Sequence, residues 1–209
     1  MKNMLFIMNP KAGRTTLKNS LVDVLEVFCN NDYAVRTYLT KSADDAERIV
    51  QEEGANYDVI VCAGGDGTLG NTVTGYMKSG IRVPLGYIPC GSTNDFARSM
   101  DIPRETVEAA EMIVKAEPFS IDIGSLNDKN FVYVAAFGMF SDTSYATPQN
   151  MKNIFGHAAY VLQGIKSLAN VPSYKMKVTI DGDEQEGEFI FGMVSNSVSV
   201  GGFKSITRK

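Results

Sequence analysis

Residues 58–68 read DVIVCAGGDGT: Asp58, an unbroken apolar run from Val59 to Ala63, and then Gly64-Gly65-Asp66-Gly67-Thr68. A short run rich in β-branched residues and bounded by glycines predicts a buried strand followed by a sharp turn. The glycines let a ligand approach the backbone closely. Consecutive N–H groups in such a turn form an anion-binding concavity, and a helix starting just after it adds positive potential. Asp66 sets a carboxylate beside that concavity. Next to a phosphate it would be repelled, unless it accepts hydrogen bonds or a cation such as Mg²⁺ lies between them. The combination suits a magnesium nucleotide. A tight strand-to-helix turn with no ligand is the plainer alternative.

Working outward, the first half of the chain alternates strand and helix signals. Residues 4–8 form an apolar run, and Leu17, Leu21, Leu25 and Phe28 recur at helical spacing. Residues 35–39 read as a second strand. Ser42 is placed to N-cap the next helix, with Asp44 and Asp45 in its first turn and Gly54 closing it. Beyond the central motif, Val73 and Met77 lie on a helix ending near Gly80, residues 83–88 on a strand and residues 106–116 on a helix. Repeated units of this kind predict an α/β fold with a mainly parallel sheet covered by helices. After residue 120 the rhythm changes. Strands are expected over 120–124, 131–137, 174–180 and 188–194, the last two joined through Asp181-Gly182, a hairpin signal. Between the two strand groups lies a long segment, 141–170, helical in its second half. A boundary falls near 118–121. It separates a nucleotide-binding α/β domain, 1–120, from a β-rich antiparallel part, 121–209, which ends without a strand to complete its sheet.

The 209 residues are 44% hydrophobic, enough for a real core, and the net charge of −4 argues against a nucleic-acid binder. Residues 151–209 hold seven Lys/Arg and five Asp/Glu, about +2, which leaves about −6 for residues 1–150. A basic C-terminal part could face an anionic membrane, or be ordinary surface charge. Cys29, Cys62 and Cys90 fit no zinc or redox spacing and read as free thiols of a cytoplasmic protein. The apolar start is too short for a leader or a span, and no segment reaches transmembrane length.

Residues 65–70 match G-x-G-x-x-G formally, but they follow the third strand, and residues 87–90 offer no acid where a dinucleotide site wants one. The pattern G-x-x-x-x-G-K-[ST] is absent. A second motif, Gly91-Ser92-Thr93-Asn94-Asp95-Phe96-Ala97-Arg98, follows the fourth strand. Ser92 and Thr93 supply hydroxyls, and Asn94 or Asp95 can cap the next helix. A third, Asn9-Pro10-Lys11-Ala12-Gly13, follows the first strand, and Thr40 ends the second. Lys11 can assist a phosphate or be a solvated loop lysine. All four strand ends lie where open α/β sheets bind ligands.

Together, NPKAG, GGDGT and PCGSTNDFAR resemble the catalytic domain of the diacylglycerol kinases and related lipid kinases. Residues 121–124, IDIG, and 200–204, VGGFK, add to the resemblance. It implies a phosphofructokinase-like first domain, a β-sandwich second domain and ATP bound between them with Mg²⁺. By motif match Asn9, Gly13, Thr40, Gly65 to Thr68 and Thr93 would contact the nucleotide, with Pro10, Lys11, Ala12, Gly64, Ser92 and Asn94 in the same loops. Two departures stand out. Asn71 occupies a position where many relatives carry Glu. Relatives also continue past Gly-Gly-Phe, so the general base is expected beyond Lys209 and the 209-residue chain is expected to be inactive. Asp181-Gly182-Asp183-Glu184 imitates the family's later DGE motif but sits in a hairpin turn and reads as surface.

The expected reaction is transfer of the ATP γ-phosphoryl group to a lipid hydroxyl, that of diacylglycerol foremost. The expected partners are a lipid substrate met peripherally at the membrane, and a second copy of the chain as a homodimer. A soluble-substrate kinase of the NAD kinase type and a non-catalytic nucleotide-binding regulator are the alternatives. The lone histidine, His157, and the apolar stripe Ile154, Ala158, Val161, Leu162, Ile165, Leu168 are expected to be structural, with lipid access as the stripe's sharper alternative.

Overall fold

The computed structural model describes residues 1–12, 16–138, 173–196, 199–200 and 203–204. Gly13, His157 and the apolar stripe lie outside the described residues. The chain divides into two compact units, Met1–Tyr133 with Ser195–Lys209, and Val134–Val194.

The first unit is built on a four-stranded parallel sheet. Its strands are β1 (Lys2–Met8), β2 (Tyr33–Leu39), β3 (Val59–Gly64) and β4 (Leu85–Pro89), in the order β2-β1-β3-β4. Every residue of β3 is buried. The helices are α1 (Thr16–Asn30), α2 (Asp45–Glu53), α3 (Asp66–Ser79), α4 (Asp95–Ser99) and α5 (Thr106–Lys115). Strand alternation sorts the core into two faces. On one, Met4, Phe6, Met8, Val61 and Ala63 pack against Leu17, Val24 and Phe28 of α1 and Ala109 and Ala110 of α5. On the other, Leu5, Ile7 and Ile60 meet Ala46, Ile49 and Val50 of α2, and Cys62 and Tyr87 meet Leu69 and Val73 of α3. This is the helix–sheet–helix sandwich expected for a parallel sheet.

Several local expectations are corrected. On α1, Val24 is fully buried whereas Leu21 and Leu25 are only partly so. Ser42 does not cap α2. The Asp45 carboxylate accepts the N–H groups of Lys41 (2.6 Å) and Ser42 (3.2 Å) instead. An ionised carboxylate is the stronger acceptor. Gly54 does close α2 as its C-cap, its N–H donating to the Val50 carbonyl, but in right-handed geometry, φ −54°, leading into a single 3-10 turn. A Cβ there would lie 2.9 Å from Ile81 Cδ1, the mobile end of a side chain.

The strand expected over 120–124 begins only at Gly124, as β5 (Gly124–Leu126), which pairs antiparallel with β6 (Lys129–Phe131). Residues 117–123 have no ladder partner among the described residues. The strand expected over 131–137 is broken before β7 (Val134–Gly138). Val132 turns into the core beside α3 and the Tyr133 hydroxyl goes to Asp95.

The second unit holds β7 and β10 (Phe191–Ser195), which pair, and the hairpin of β8 (Tyr174–Ile180) and β9 (Asp183–Phe189). Asp181 and Gly182 have φ +53° and +96°, the signs a two-residue type I′ turn demands. Asp181-Gly182 is therefore the turn itself, and Asp183 and Glu184 open β9; all four residues are exposed, as the sequence setting suggests.

Helices α2 and α3 cross so closely that a Cβ on Gly75 would strike the Glu47 carbonyl and lie 3.0 Å from its Cα. Gly75→Ala should therefore destabilise the chain by about 1–3 kcal/mol through overpacking. Helix propensity alone predicts the opposite sign, about 1 kcal/mol in favour of Ala. Denaturant unfolding of the two proteins decides between them; an equal or higher midpoint for the variant would refute the close packing.

Candidate functional site

The four parallel strands end nearly flush, with Met8 paired to Leu39 and to Ala63, and Gly64 to Pro89. The loops after them emerge side by side. The strand order reverses between β1 and β3, and such a reversal opens a crevice at the carboxyl edge of the sheet. The loop after β1 and the loop after β3 flank that crevice.

Hydrogen bonds knit the predicted residues together. Asn9 N–H donates to the Ala63 carbonyl (3.0 Å), and its Nδ2 donates to Thr68 Oγ1 (3.0 Å). Asn9 Oδ1 accepts the Lys11 N–H (2.9 Å), and its carbonyl accepts Ala12 N–H (3.1 Å), which folds the Pro10-Lys11 turn. Lys11 is exposed. Thr40 is buried, and its N–H donates to the Met8 carbonyl (2.9 Å).

The loops after β3 and β4 touch backbone to backbone. A Cβ on Gly91 would lie 2.6 Å from Gly65 Cα, so neither turn tolerates a side chain at the contact. Cys90 N–H donates to the Gly64 carbonyl (2.7 Å). Asn94 folds back on its own turn, accepting Gly91 N–H at Oδ1 (2.8 Å) and donating Nδ2 to the Gly91 carbonyl (2.8 Å). Asn94 thus stands at the start of α4 without capping it by its side chain. The cap comes from the other loop: Asp66 accepts the N–H groups of Asp95 and Phe96, both at 3.2 Å. Asp66 is also the first residue of α3. Around it Gly67 is exposed, and a Cβ placed there meets nothing within 4 Å. Open space above a helix N-terminus and beside a carboxylate is what a nucleotide phosphate with its cation needs.

Burial holds the Asp66 carboxyl above the ordinary carboxylate value, against the two N–H groups that favour its charge. Burial likewise pushes the Cys62 and Cys90 thiols up to about 12, so neither is a nucleophile at neutral pH. All three cysteines are free. Among the described residues no three His, Cys, Asp or Glu side chains group to hold a metal unaided. A Mg²⁺ arriving on a nucleotide does not need such a cage: phosphates, water and one or two carboxylates suffice, and Asp66 is placed to be one of them.

Three contacts escape any reading by motif. Tyr87, from β4, is buried, and its hydroxyl reaches the Gly64 carbonyl (3.1 Å) and Asn94 Oδ1 (3.4 Å). The Tyr133 hydroxyl donates to Asp95 Oδ2 (2.9 Å). Asn71 Nδ2 donates to the Ala43 carbonyl (2.7 Å). An ionised glutamate at position 71 could not donate there, so the amide gives the loop before α2 a tether that the acid would not.

The diacylglycerol kinase catalytic domain model matches residues 3–126, which carry all of these loops. The chain belongs to that family. A diacylglycerol kinase of Bacillus subtilis (strain 168) is 36% identical over 208 residues, 99% of this chain and 69% of the relative. One of Staphylococcus aureus (strain JH9) is 34% identical over 98% of this chain and 65% of its own length. The crystal structure of a diacylglycerol kinase from Bacillus anthracis str. Sterne matches with a TM-score of 0.79 at 30% identity, covering 98% of this chain and 67% of that one. The chain thus spans about two thirds of the family members it matches. The names of these relatives are those of kinases, and so of transferases. Among the described residues no helix is long and apolar enough to cross a membrane.

The raised carboxyl of Asp66 has a signed consequence. A folded-state value above the ordinary 3.8 means that the native chain holds its proton longer than the unfolded one. The contribution of Asp66 to stability therefore falls as pH rises from 3.8 through the folded value. Relative to wild type, Asp66→Asn should gain stability over that window and hold a constant offset above it. Thermal melts of both proteins from pH 4 to 7 test this; a variant-minus-wild-type difference in melting temperature that falls or stays flat as pH rises would refute it.

Proposed function

We propose that this chain binds ATP with Mg²⁺ and transfers its γ-phosphoryl group to a lipid hydroxyl, that of diacylglycerol, to give phosphatidic acid. The observation that best supports it is the pairing at the carboxyl edge of the sheet. Two glycine turns stand there in backbone contact, and the one after β3, which opens α3 and carries Asp66, borders the point where strand order reverses. In this reading Gly64 to Thr68 and the first N–H groups of α3 take the phosphates. Asn9, Pro10, Lys11, Ala12 and Thr40 border them on one side, and Ser92, Thr93 and Asn94 on the other; Gly13 is included by motif match alone. Asn9 orients the Thr68 hydroxyl, and Lys11 supplies a point charge. A Mg²⁺ held by the phosphates and Asp66 would neutralise charge on the transferring group.

Residues 1–120 serve the nucleotide in this proposal and residues 121–209 contribute to the lipid side, reached peripherally at a membrane surface. A homodimer remains part of the proposal. The carboxylate that takes the proton of the lipid hydroxyl is assigned outside residues 1–209, on the strength of the resemblance. Lack of a general base costs about 10²–10⁴-fold in rate.

Gly67→Val should leave the fold intact, since the added side chain enters open space, and should weaken ATP binding by at least about tenfold. Calorimetry with an unchanged melting temperature checks both halves; unchanged ATP affinity would remove the phosphates from this turn. The 209 residues by themselves should be inactive or nearly so: with labelled ATP and Mg²⁺, any residual transfer should go to diacylglycerol in detergent micelles and not to NAD. Label on NAD would overturn the lipid reading. Assayed alongside, the Bacillus subtilis relative should be faster by about 10²-fold or more. Comparable rates would place the base within the 209 residues.

A further inference from the structure

The phenol of Tyr87 lies in the core of the first unit, packed among Cys62, Leu69, Val73 and Ala97, its ring 6.1 Å from that of Phe96. Its side chain is 4% exposed, yet its hydroxyl emerges from this apolar setting at the underside of both glycine turns. There one phenolic proton faces two acceptors, the Gly64 carbonyl at 3.1 Å and Asn94 Oδ1 at 3.4 Å. Gly64 belongs to the turn after β3 and Asn94 to the turn after β4. The Asn94 amide is itself locked in orientation by its two bonds to Gly91, and its backbone sits at φ +52°.

We propose that Tyr87 is a positioning residue that sets the spacing of the two phosphate-facing turns through its hydroxyl, so that the N-terminus of α3 and residues 92–94 address the same ligand. The inference rests on the reading of these turns as a nucleotide site. The other ties between them run through backbone or through Asp66: Cys90 N–H to the Gly64 carbonyl, and Asp66 to the N–H groups of Asp95 and Phe96. None of these restrains the Asn94 side chain. Without the hydroxyl, the Asn94 side chain is held only by its bonds to Gly91, and the segment 91–94 loses the side-chain tie from the core that reaches both turns.

Tyr87→Phe isolates this role. Phenylalanine fills the same ring space. The Gly64 carbonyl keeps its bond from Cys90, and Asn94 Oδ1 keeps its bond from Gly91, so no buried acceptor loses its last partner. Tyr76 provides a matched control. Its hydroxyl also donates to a backbone carbonyl, that of Val83 at 2.8 Å, and plays no part in the two turns.

Magnesium-ATP affinity by calorimetry and amide exchange of the ligand-free protein are measured for wild type, Tyr87→Phe and Tyr76→Phe. Tyr87→Phe should weaken ATP binding by about threefold to tenfold and speed exchange at Gly91. Tyr76→Phe should lower the melting temperature comparably while leaving ATP affinity and Gly91 exchange at wild-type values. Equal affinity in wild type and Tyr87→Phe would overturn the positioning role alone, as would an equal loss in both variants. A wild-type chain that binds no ATP would instead overturn the nucleotide reading, and the role with it.

Discussion

The carboxylate of Asp66 accepts two N–H groups from the start of α4 while standing at the start of α3. Helix starts leave backbone donors without intrahelical partners, and a helix of five residues gains little from its own hydrogen bonds. α4 therefore depends on an acceptor supplied from 29 and 30 residues away. Burial raises the proton affinity of this carboxylate, and each helix-start N–H turned toward it offsets part of that cost. The same group thus ties the start of α4 to the turn after β3 and presents negative charge at the mouth of the crevice, where a cation would be welcome.

What delivers Asp66 to that place is the fully buried strand before it. β3 has a partner on each side, β1 and β4, so its end cannot drift, and its neighbours end level with it. The closeness of the two turns follows from glycine at both 65 and 91, where backbone meets backbone. The thiols of Cys62 and Cys90, buried in the same core, are chemically quiet, which leaves oxygen and nitrogen groups to handle any ligand.

The edge of the site at β2 is held differently. Asp45 gathers the Lys41 and Ser42 N–H groups, and Asn71 reaches across from α3 to the Ala43 carbonyl. The loop beside Thr40 is therefore anchored at successive residues. An amide at position 71 serves a carbonyl, a duty that a carboxylate cannot perform.

The sequence by itself determined the order of strands and helices, the parallel sheet and the location of the ligand loops. Each of these is written in short-range terms: an apolar run such as VIVCA, a helical stripe from Leu17 to Phe28, the glycines of GGDGT and the Asp-Gly of the hairpin. It erred where a neighbouring group offered a stronger local bond, as where the Asp45 carboxylate gathers the N–H groups of Lys41 and Ser42 and Ser42 does not cap α2. The pattern read as strand over 131–137 also gave way once Val132 and Tyr133 found partners on α3 and Asp95. Only the tertiary structure decided how the loops hold one another. The links of Asp66 to α4, of Tyr87 to Gly64 and of Tyr133 to Asp95 join residues 23 to 38 positions apart. No periodicity encodes them, because they form only after the sheet has brought its strand ends together.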